Sequence, residues 1–160
     1  MLPVCSSARS QANLGFSVRR HGEHSKFDEL PFGKRDHSLG IDYEFHESTA
    51  FWQFGLSYTP DLSIKDGETE APDYALTPTI NLIAKDNMYH GGIGIASTYS
   101  DIDGGEWTSV YWQFILGFRF DISKRLSLSA YGYYPFKRWG ELADFRFKDV
   151  EYGLRIGAGF

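Results

Sequence analysis

The fold is decided by the C-terminal stretch EYGLRIGAGF, residues 151–160. Every second residue from Tyr152 onward is apolar, whereas the intervening positions hold glycines, one glutamate and one arginine. Alternation with a period of two predicts a β-strand with an apolar face and a polar face. One strand cannot show which of its faces is buried, so that question has to be answered by the rest of the chain.

The same alternation recurs in seven further segments, which predicts eight strands in all. The other segments begin at Asn13 and cover residues 13–19, 38–46, 52–59, 76–85, 89–99, 110–120 and 126–134. Pro78 is expected to mark a bulge or an irregular start, because proline cannot donate to a strand ladder. The alternation is least clean in the seventh strand, where a shift of one residue would exchange the two faces.

The connections between the predicted strands alternate in length. Tight turns are expected around residues 47–49, 86–87 and 123–124, and longer polar loops over 21–36, 60–73, 100–107 and 135–148. Short turns at one end and long loops at the other are typical of an even-numbered up-and-down barrel. The prediction is therefore an all-β, eight-stranded antiparallel barrel over residues 13–160, with both termini on the short-turn side.

Composition excludes several other classes. No apolar run of about 18 residues is present that could form a spanning helix, and the net charge of −5 argues against a nucleic-acid partner. The lone Cys5 cannot form an internal disulfide, and no cofactor motif is present. Residues 1–12 lack periodicity, and we interpret them as the remnant of a secretory signal or as a disordered N-terminus.

The composition of the polar face indicates whether this face lines the lumen or covers the outside of the barrel. A soluble barrel would expose this face, which would then be rich in lysine and glutamate, yet it carries mostly glycines and small polar residues. Small residues suit the narrow lumen of an eight-stranded barrel, which has to be filled by its own side chains. The apolar face is therefore predicted to meet lipid, and the barrel to be transmembrane.

Charged residues on the predicted lumenal face are few and balanced. An unpaired buried charge is costly, whereas a hydrogen-bonded pair is tolerated, so these residues are expected to form a lumenal ion network. The set comprises Arg19, Asp42, Glu44, Arg119, Glu151 and Arg155.

Aromatic residues on the apolar face cluster near the strand ends, as in the aromatic girdles of membrane barrels. The expected short-turn girdle contains Phe45, Trp52, Tyr89, Phe120 and Phe160. The expected long-loop girdle contains Tyr58, Tyr74, Tyr99, Tyr134 and Tyr152.

Eight alternating strands, four long loops and a closing strand that ends on Phe160 resemble the class of small outer-membrane barrels that includes the OmpA membrane domain, OmpX, Ail and NspA. The resemblance implies a bacterial outer-membrane location with periplasmic termini and extracellular long loops. It also implies contact with outer-membrane lipid and lipopolysaccharide, and recognition of the C-terminal strand by the barrel-assembly machinery. It implies little about activity.

Two lipid A-modifying enzymes share this architecture. The deacylase PagL carries a His-x-Ser pair on its outer face near the long loops, whereas the only such pair here, His46-Glu47-Ser48, is expected at a short turn. The palmitoyltransferase PagP keeps histidine, aspartate and serine in its outer loops. His21, His24, Ser63 and Asp66 could match that set, but we interpret them as surface polar residues of the loops.

Two of the long loops carry patterns that suggest ligands. Asp101, Asp103 and Glu106 surround two glycines, which predicts a divalent-cation loop, although the full calcium-loop pattern is absent. The fourth long loop mixes basic and aromatic residues, which favours contact with lipid headgroups; packing within the loop is the alternative. The residues concerned are Lys137, Arg138, Trp139, Arg146 and Lys148.

The function expected from these observations lies in the loops, as surface interaction with a protein partner, adhesion or membrane stabilisation. The alternatives are a lipid A-modifying enzyme and a narrow pore or conduit for hydrophobic molecules.

Overall fold

A computed structural model describes residues 12–24, 27–65 and 69–160, apart from the side chain of Asp103. Most of residues 1–12, together with Asp66, therefore lie outside the described residues. The strands are β1 (Ala12–Arg20), β2 (His37–His46), β3 (Ala50–Pro60), β4 (Tyr74–Asp86), β5 (Tyr89–Ala96), β6 (Tyr99–Ser100), β7 (Glu106–Trp107), β8 (Tyr111–Asp121), β9 (Leu126–Phe136) and β10 (Glu151–Gly159). Short 3₁₀-helices occupy Ile102–Gly104, Trp139–Asp144 and Phe147–Asp149.

Eight long strands close into an antiparallel barrel. Each of them pairs with its neighbours along the chain, and β1 pairs with β10, from Asn13 opposite Gly159 to Arg20 opposite Tyr152. The two-residue strand β6 pairs with β4 beyond the end of β5, and the two-residue strand β7 pairs with β6. The predicted eight-stranded up-and-down barrel is thus confirmed.

The apolar face of the barrel points outward. Leu116 is 71% exposed, and most of the other apolar-face side chains of the strands are also exposed. The polar face lines a narrow lumen, where an added Cβ on Gly94 would collide with the Asn81 carboxamide and one on Gly157 with the Arg155 guanidinium. The inward glycines therefore make room for the long polar side chains that fill the lumen.

The turns and loops lie where the sequence predicted them. Residues 47–49, 87–88 and 122–125 form the short turns, and residues 21–36, 61–73, 97–110 and 137–150 form the long loops, numbered one to four below. The seventh long strand, β9, keeps the predicted faces, with Leu128 exposed and Ser129 buried.

The prediction of a bulge or an irregular start at Pro78 was wrong for β4, the strand that contains this residue. Pro78 pairs in unbroken register with Leu56 of β3. The break lies on the other side, where the predicted fifth strand is interrupted at Ser97 and resumes as β6. The pairs on either side, Thr79 with Ala96 and Leu76 with Tyr99, set Ser97 opposite Pro78. Ser97 N donates to Pro78 O, but Pro78 has no N–H to return the bond, and the ladder is interrupted there.

Two apolar clusters close the lumen. One lies among the strands and contains Phe51, Ile83, Ile115 and Tyr131. The other joins loop one to loop two and to the strand ends, and contains Phe27, Leu30, Phe32, Leu62, Ala75, Ala96 and Tyr111. Loop one thus folds over the long-loop mouth of the barrel.

In the part of the chain that the structure describes, no helix has the length and apolar character needed to cross a membrane.

Candidate functional site

The lumen contains a connected set of ion pairs near its short-turn end. Arg155 is 2% exposed, and its Nε and Nη2 donate to Asp42 Oδ1 at 2.8 and 2.6 Å. Arg155 also lies 3.3 Å from Glu44 Oε1. Glu44 Oε2 accepts from Arg119 Nη1 at 3.0 Å and lies 2.9 Å from His46 Nε2. Two arginines thus neutralise two buried carboxylates.

Amide side chains extend this network along the lumen. Gln53 Nε2 donates to Glu44 Oε1 at 3.2 Å, and Asn81 Nδ2 donates to Gln53 Oε1 at 2.9 Å. Gln113 Nε2 donates to Asn81 Oδ1 at 2.8 Å, and Arg19 Nη2 donates to Gln113 Oε1 at 3.1 Å. The structure therefore links Glu44 to Arg19 through three amides that sequence reasoning had not singled out.

A second cluster lies at the long-loop end. Glu151 pairs with Arg19, and its Oε1 lies 2.7 Å from both His21 Nδ1 and His24 Nε2. His21 Nε2 contacts Ser38 Oγ. The six charged residues predicted to line the lumen thus divide between the two ends, and the amides join them.

The interpretation of His21 and His24 as surface loop residues was wrong, because both are buried. A signal was present in the sequence: odd-numbered residues of β1 point inward, and His21 continues this series beyond Arg19. Extending the pairing of Arg20 with Tyr152 by one residue also sets His21 opposite Glu151. His24 follows no strand periodicity, so the sequence could not place it.

Contacts of Ser38, His21 and Glu151 follow the order of a Ser-His-acid triad, with Oγ on Nε2 and the carboxylate on Nδ1. However, Ser38 is 1% exposed, and its hydroxyl also bonds to Thr59 at 2.7 Å. Phe32 stacks on the His21 ring with centroids 3.7 Å apart. A substrate would have to displace loop one to reach the hydroxyl.

Burial controls the protonation of His21. It lowers the pKa of His21, and it outweighs the opposing effects of the Glu151 charge and hydrogen bond. The imidazole of His21 is therefore neutral at neutral pH.

Ion pairs fasten loop one to loop four. Glu29 pairs with Lys137 and Glu23 with Lys148, while Lys34 adds a second partner for Glu23 at 2.5 Å. Hydrogen bonds from these lysines lower the pKa of Glu23 and of Glu29 to about 2. Two of the five residues predicted to contact lipid headgroups are thus paired within the protein.

The other predicted headgroup residues lie in loop four with different surroundings. Trp139 packs against the outer-face residues Trp112 and Phe114, with centroids 5.6 and 6.0 Å apart. Arg138 is exposed just before it, and Arg146 is exposed between the two 3₁₀-helices of the loop. Loop four therefore leans over the outer wall of the barrel.

One of the predicted cation ligands of loop three, Asp101, has a structural role. Asp101 Oδ1 accepts a hydrogen bond from the backbone N of Tyr74 at 3.2 Å. Glu106 is exposed in β7, and the side chain of Asp103 lies outside the described residues. A divalent-cation loop at these residues stays a prediction.

The predicted girdle aromatics lie on the outer face of the barrel, with one correction. Those that are well exposed are Phe45, Trp52, Tyr58, Tyr89, Phe120, Tyr152 and Phe160. Tyr74 and Tyr99 are partly exposed and stack in a row with Tyr58. Tyr134 does not face lipid, because it is only 7% exposed beneath Phe145 of loop four.

An apolar groove runs along the outer wall below loop four. Its cavity volume is about 960 Å³. Leu142, Phe145 and Phe147 border it on the loop side, and Leu116 and Gly132 on the barrel side.

The structure can be compared with known proteins. Neither a protein-family model nor a curated protein sequence matches the chain. The chain is similar to the crystal structure of Neisserial surface protein A (NspA), with a TM-score of 0.57 and 11% identity over 94% of this chain and 98% of that one. It is also similar to the crystal structure of Ail, the attachment invasion locus protein of Yersinia pestis, with a TM-score of 0.44 and 15% identity over 94% of this chain and 95% of that one. The chain thus has the fold of the small eight-stranded outer-membrane barrels, as its sequence predicted.

Proposed function

We propose that this protein is an integral outer-membrane protein of a Gram-negative bacterium that acts through the surface of its long loops. The observation that carries the proposal is the combination of an apolar outer wall with a lumen closed by its own side chains. The termini lie in the periplasm and the long loops outside the cell. Outer-membrane lipid, including lipopolysaccharide at the outer leaflet, surrounds the wall, and the assembly machinery recognises β10.

The closed lumen argues against a pore. Loop one buries Phe27, Leu30 and Phe32 over the mouth, and the ion network occupies the space below it. The purified barrel in a planar lipid bilayer is therefore expected to give no discrete conductance steps. Regular single-channel steps that persist after repurification would contradict the closed lumen.

The loops offer exposed apolar side chains for a protein partner. Ile64 of loop two and Trp107 and Val110 of loop three are each more than half exposed. Exposed apolar side chains at the centre of a patch supply much of the binding energy of protein interfaces. The proposed role is therefore adhesion to a protein-coated surface or to other cells.

Adhesion can be tested on whole cells of a non-adherent bacterial strain that produces the protein. Binding to cultured epithelial cells is expected to rise with production and to fall at least tenfold in the double variant Trp107→Ser, Val110→Ser. Ser123→Ala, in a short turn at the opposite end, is the matched control. Adhesion that is absent, or that the loop variant leaves unchanged, would favour a role in membrane stability, which sensitivity to detergent would measure.

The outer-wall groove supports a second candidate function, the binding of a hydrophobic chain such as a lipid acyl group. Gly132 faces the groove, and a Cβ there would make only ordinary van der Waals contacts, with Val150 Cγ1 at 3.7 Å and Leu116 O at 3.9 Å. Gly132→Leu is expected to fill part of the groove and weaken the binding of a fluorescent fatty acid to the detergent-solubilised barrel. Gly140→Leu, in loop four with open space around it, is the control, and equal binding by both variants would refute this function.

A further inference from the structure

Three metal-ligating side chains converge beneath loop one. The candidate ligand atoms of His21, His24 and Glu151 lie within 4.8 Å of one another, and all three residues are buried. Ligands at about 2.0–2.1 Å from a tetrahedral zinc ion lie roughly 3.3 Å apart. The two nitrogens, each 2.7 Å from Glu151 Oε1, would therefore need only small side-chain shifts to surround such an ion.

His24 has a close contact with Glu151 but lacks the hydrogen bonds that a buried histidine normally makes. It is 4% exposed, and within the described part of the chain neither of its ring nitrogens makes a directed hydrogen bond. Buried polar groups without hydrogen bonds are rare, and a bound ion is one of their recognised explanations. The imidazole of His24 thus faces Glu151 Oε1 at 2.7 Å, but neither of its ring nitrogens has a hydrogen-bond partner with directed geometry.

Metal-ligating histidines usually make a hydrogen bond with the ring nitrogen that does not bind the metal, and His21 has such a partner. Its Nε2 contacts Ser38 Oγ, which in turn bonds to Thr59 Oγ1 at 2.7 Å. A hydrogen bond at one ring nitrogen fixes the ring orientation and leaves the other nitrogen free for a metal. The other nitrogen, Nδ1, lies 2.7 Å from Glu151 Oε1, so an ion held between these two residues would replace that hydrogen bond.

The backbone holds the two histidines in place. A Cβ on Gly22 would lie 2.8 Å from the carbonyl carbon and oxygen of Asp149, so loop one lies directly against the end of loop four. The adjacent Glu23 N donates to Lys148 O at 2.9 Å. His24 has a φ of 49°, in the left-handed region that non-glycine residues seldom adopt and that is often retained at functional sites.

Two further features bear on how strongly an ion would bind. Arg19 pairs with Glu151 Oε2 and lies 4.0 Å above the Tyr133 ring, so its charge opposes a cation and lowers the expected affinity. A cavity of about 10 Å³ adjoins His24 and Asp149, on the order of the volume that one water molecule requires.

We propose that His21, His24 and Glu151 bind a divalent transition-metal ion, with Zn²⁺ favoured by a donor set of two imidazoles and one carboxylate. The ion would join loop one to β10 and hold the cover of the lumen closed. This site is independent of the proposed adhesive surface, which lies on loops two and three.

The first test measures Zn²⁺ on the full chain refolded in detergent, by elemental analysis after dialysis and by titration calorimetry. One ion per chain is expected, with at least tenfold weaker binding in His24→Gln and unchanged binding in His37→Gln, an exposed histidine of β2. Heat-modifiable gel mobility establishes that each variant is folded. No retained ion, or equal affinity in His24→Gln, would refute the site.

A second test separates a metal site from the serine arrangement described above. Ser38→Ala is expected to weaken Zn²⁺ binding by about 10- to 100-fold, as loss of an outer partner does, and Co²⁺ should give visible absorption bands that Zn²⁺ abolishes. Covalent labelling of Ser38 by a fluorophosphonate, unaffected by added Zn²⁺, would assign the cluster to nucleophilic catalysis and overturn the proposal.

Discussion

At the residue scale, single buried charges in the lumen affect the stability of the folded barrel. Arg155 neutralises Asp42 and Glu44 in the barrel interior. Arg155→Leu leaves these carboxylates without that partner, so it is expected to lower the free energy of unfolding by about 3 to 5 kcal/mol. Urea unfolding in detergent, followed by gel mobility, measures this change.

Arg138→Leu provides the control for that experiment, because Arg138 is exposed in loop four. A surface substitution of this kind changes stability by about 0.5 kcal/mol or less. Equal midpoints for the two variants would show that Arg155 does not carry a buried charge pair.

Two adjacent glycines test the inward and outward faces of a strand. A Cβ on Gly92 would strike the backbone of Leu82 and lie 2.8 Å from Ile83 Cα, whereas one on Gly91 would meet only a methyl of Leu116 at 3.4 Å. Gly92→Ala is expected to destabilise the barrel by about 1 to 3 kcal/mol and Gly91→Ala to leave it nearly unchanged. The same urea assay measures both variants, and the reverse order would contradict the assigned faces.

At the residue scale, strand periodicity determined how much the sequence could predict. It assigned Arg155 and Glu151 to the lumen because the faces of a strand alternate strictly. The partners of these residues depend on register and barrel shear, so the amides Gln53, Asn81 and Gln113 were not foreseen. His24 lies in a loop without periodicity, and its burial follows only from how loop one folds.

At the scale of elements, the ion pairs of Glu29 with Lys137 and of Glu23 with Lys148 hold loops one and four together. These two pairs, called the clasp below, depend on pH. The pKa values of Glu23 and Glu29 are lowered in the folded protein, so their stabilisation is fully present above the ordinary carboxyl pKa and is lost as pH falls. The loss is expected between about 4.5 and about 2, the ordinary and the lowered values. Because Glu29 is exposed and Glu23 is partly exposed, added salt should weaken the clasp.

The hydrogen-exchange rate of the backbone amides of residues 137–149 measures how firmly the clasp holds loop four. Exchange, after correction for its intrinsic pH dependence, is expected to rise only below about pH 4.5. The double variant Glu23→Gln, Glu29→Gln should show the raised exchange already at neutral pH and no further transition. A transition that the double variant retains would assign the pH dependence to other groups.

Strands and loops differ in how far sequence reasoning reaches. The eight long strands, the three tight turns and the faces of β9 follow from alternation and from connection length. Loop four was expected to lie at the lipid headgroups or to pack on itself, but it also covers Tyr134 and Phe136 on the barrel wall. Such packing depends on the three-dimensional surface that closure of the barrel creates, which no local pattern records.

At the scale of the whole molecule, the stability of the barrel depends on which face of the closed sheet meets lipid. An apolar wall around a polar, self-filled lumen is stable only where hydrocarbon replaces water at that wall. The mean hydropathy of −0.35 does not show this, because half of each strand points into the lumen.

Refolding of residues 13–160 into detergent micelles and into plain buffer, followed by gel mobility with and without boiling, tests this claim most directly. We expect a compact band that shifts on boiling in detergent, and aggregation in buffer. A monodisperse, β-rich protein in plain buffer would contradict it, because the apolar face would then have to line the interior of the barrel.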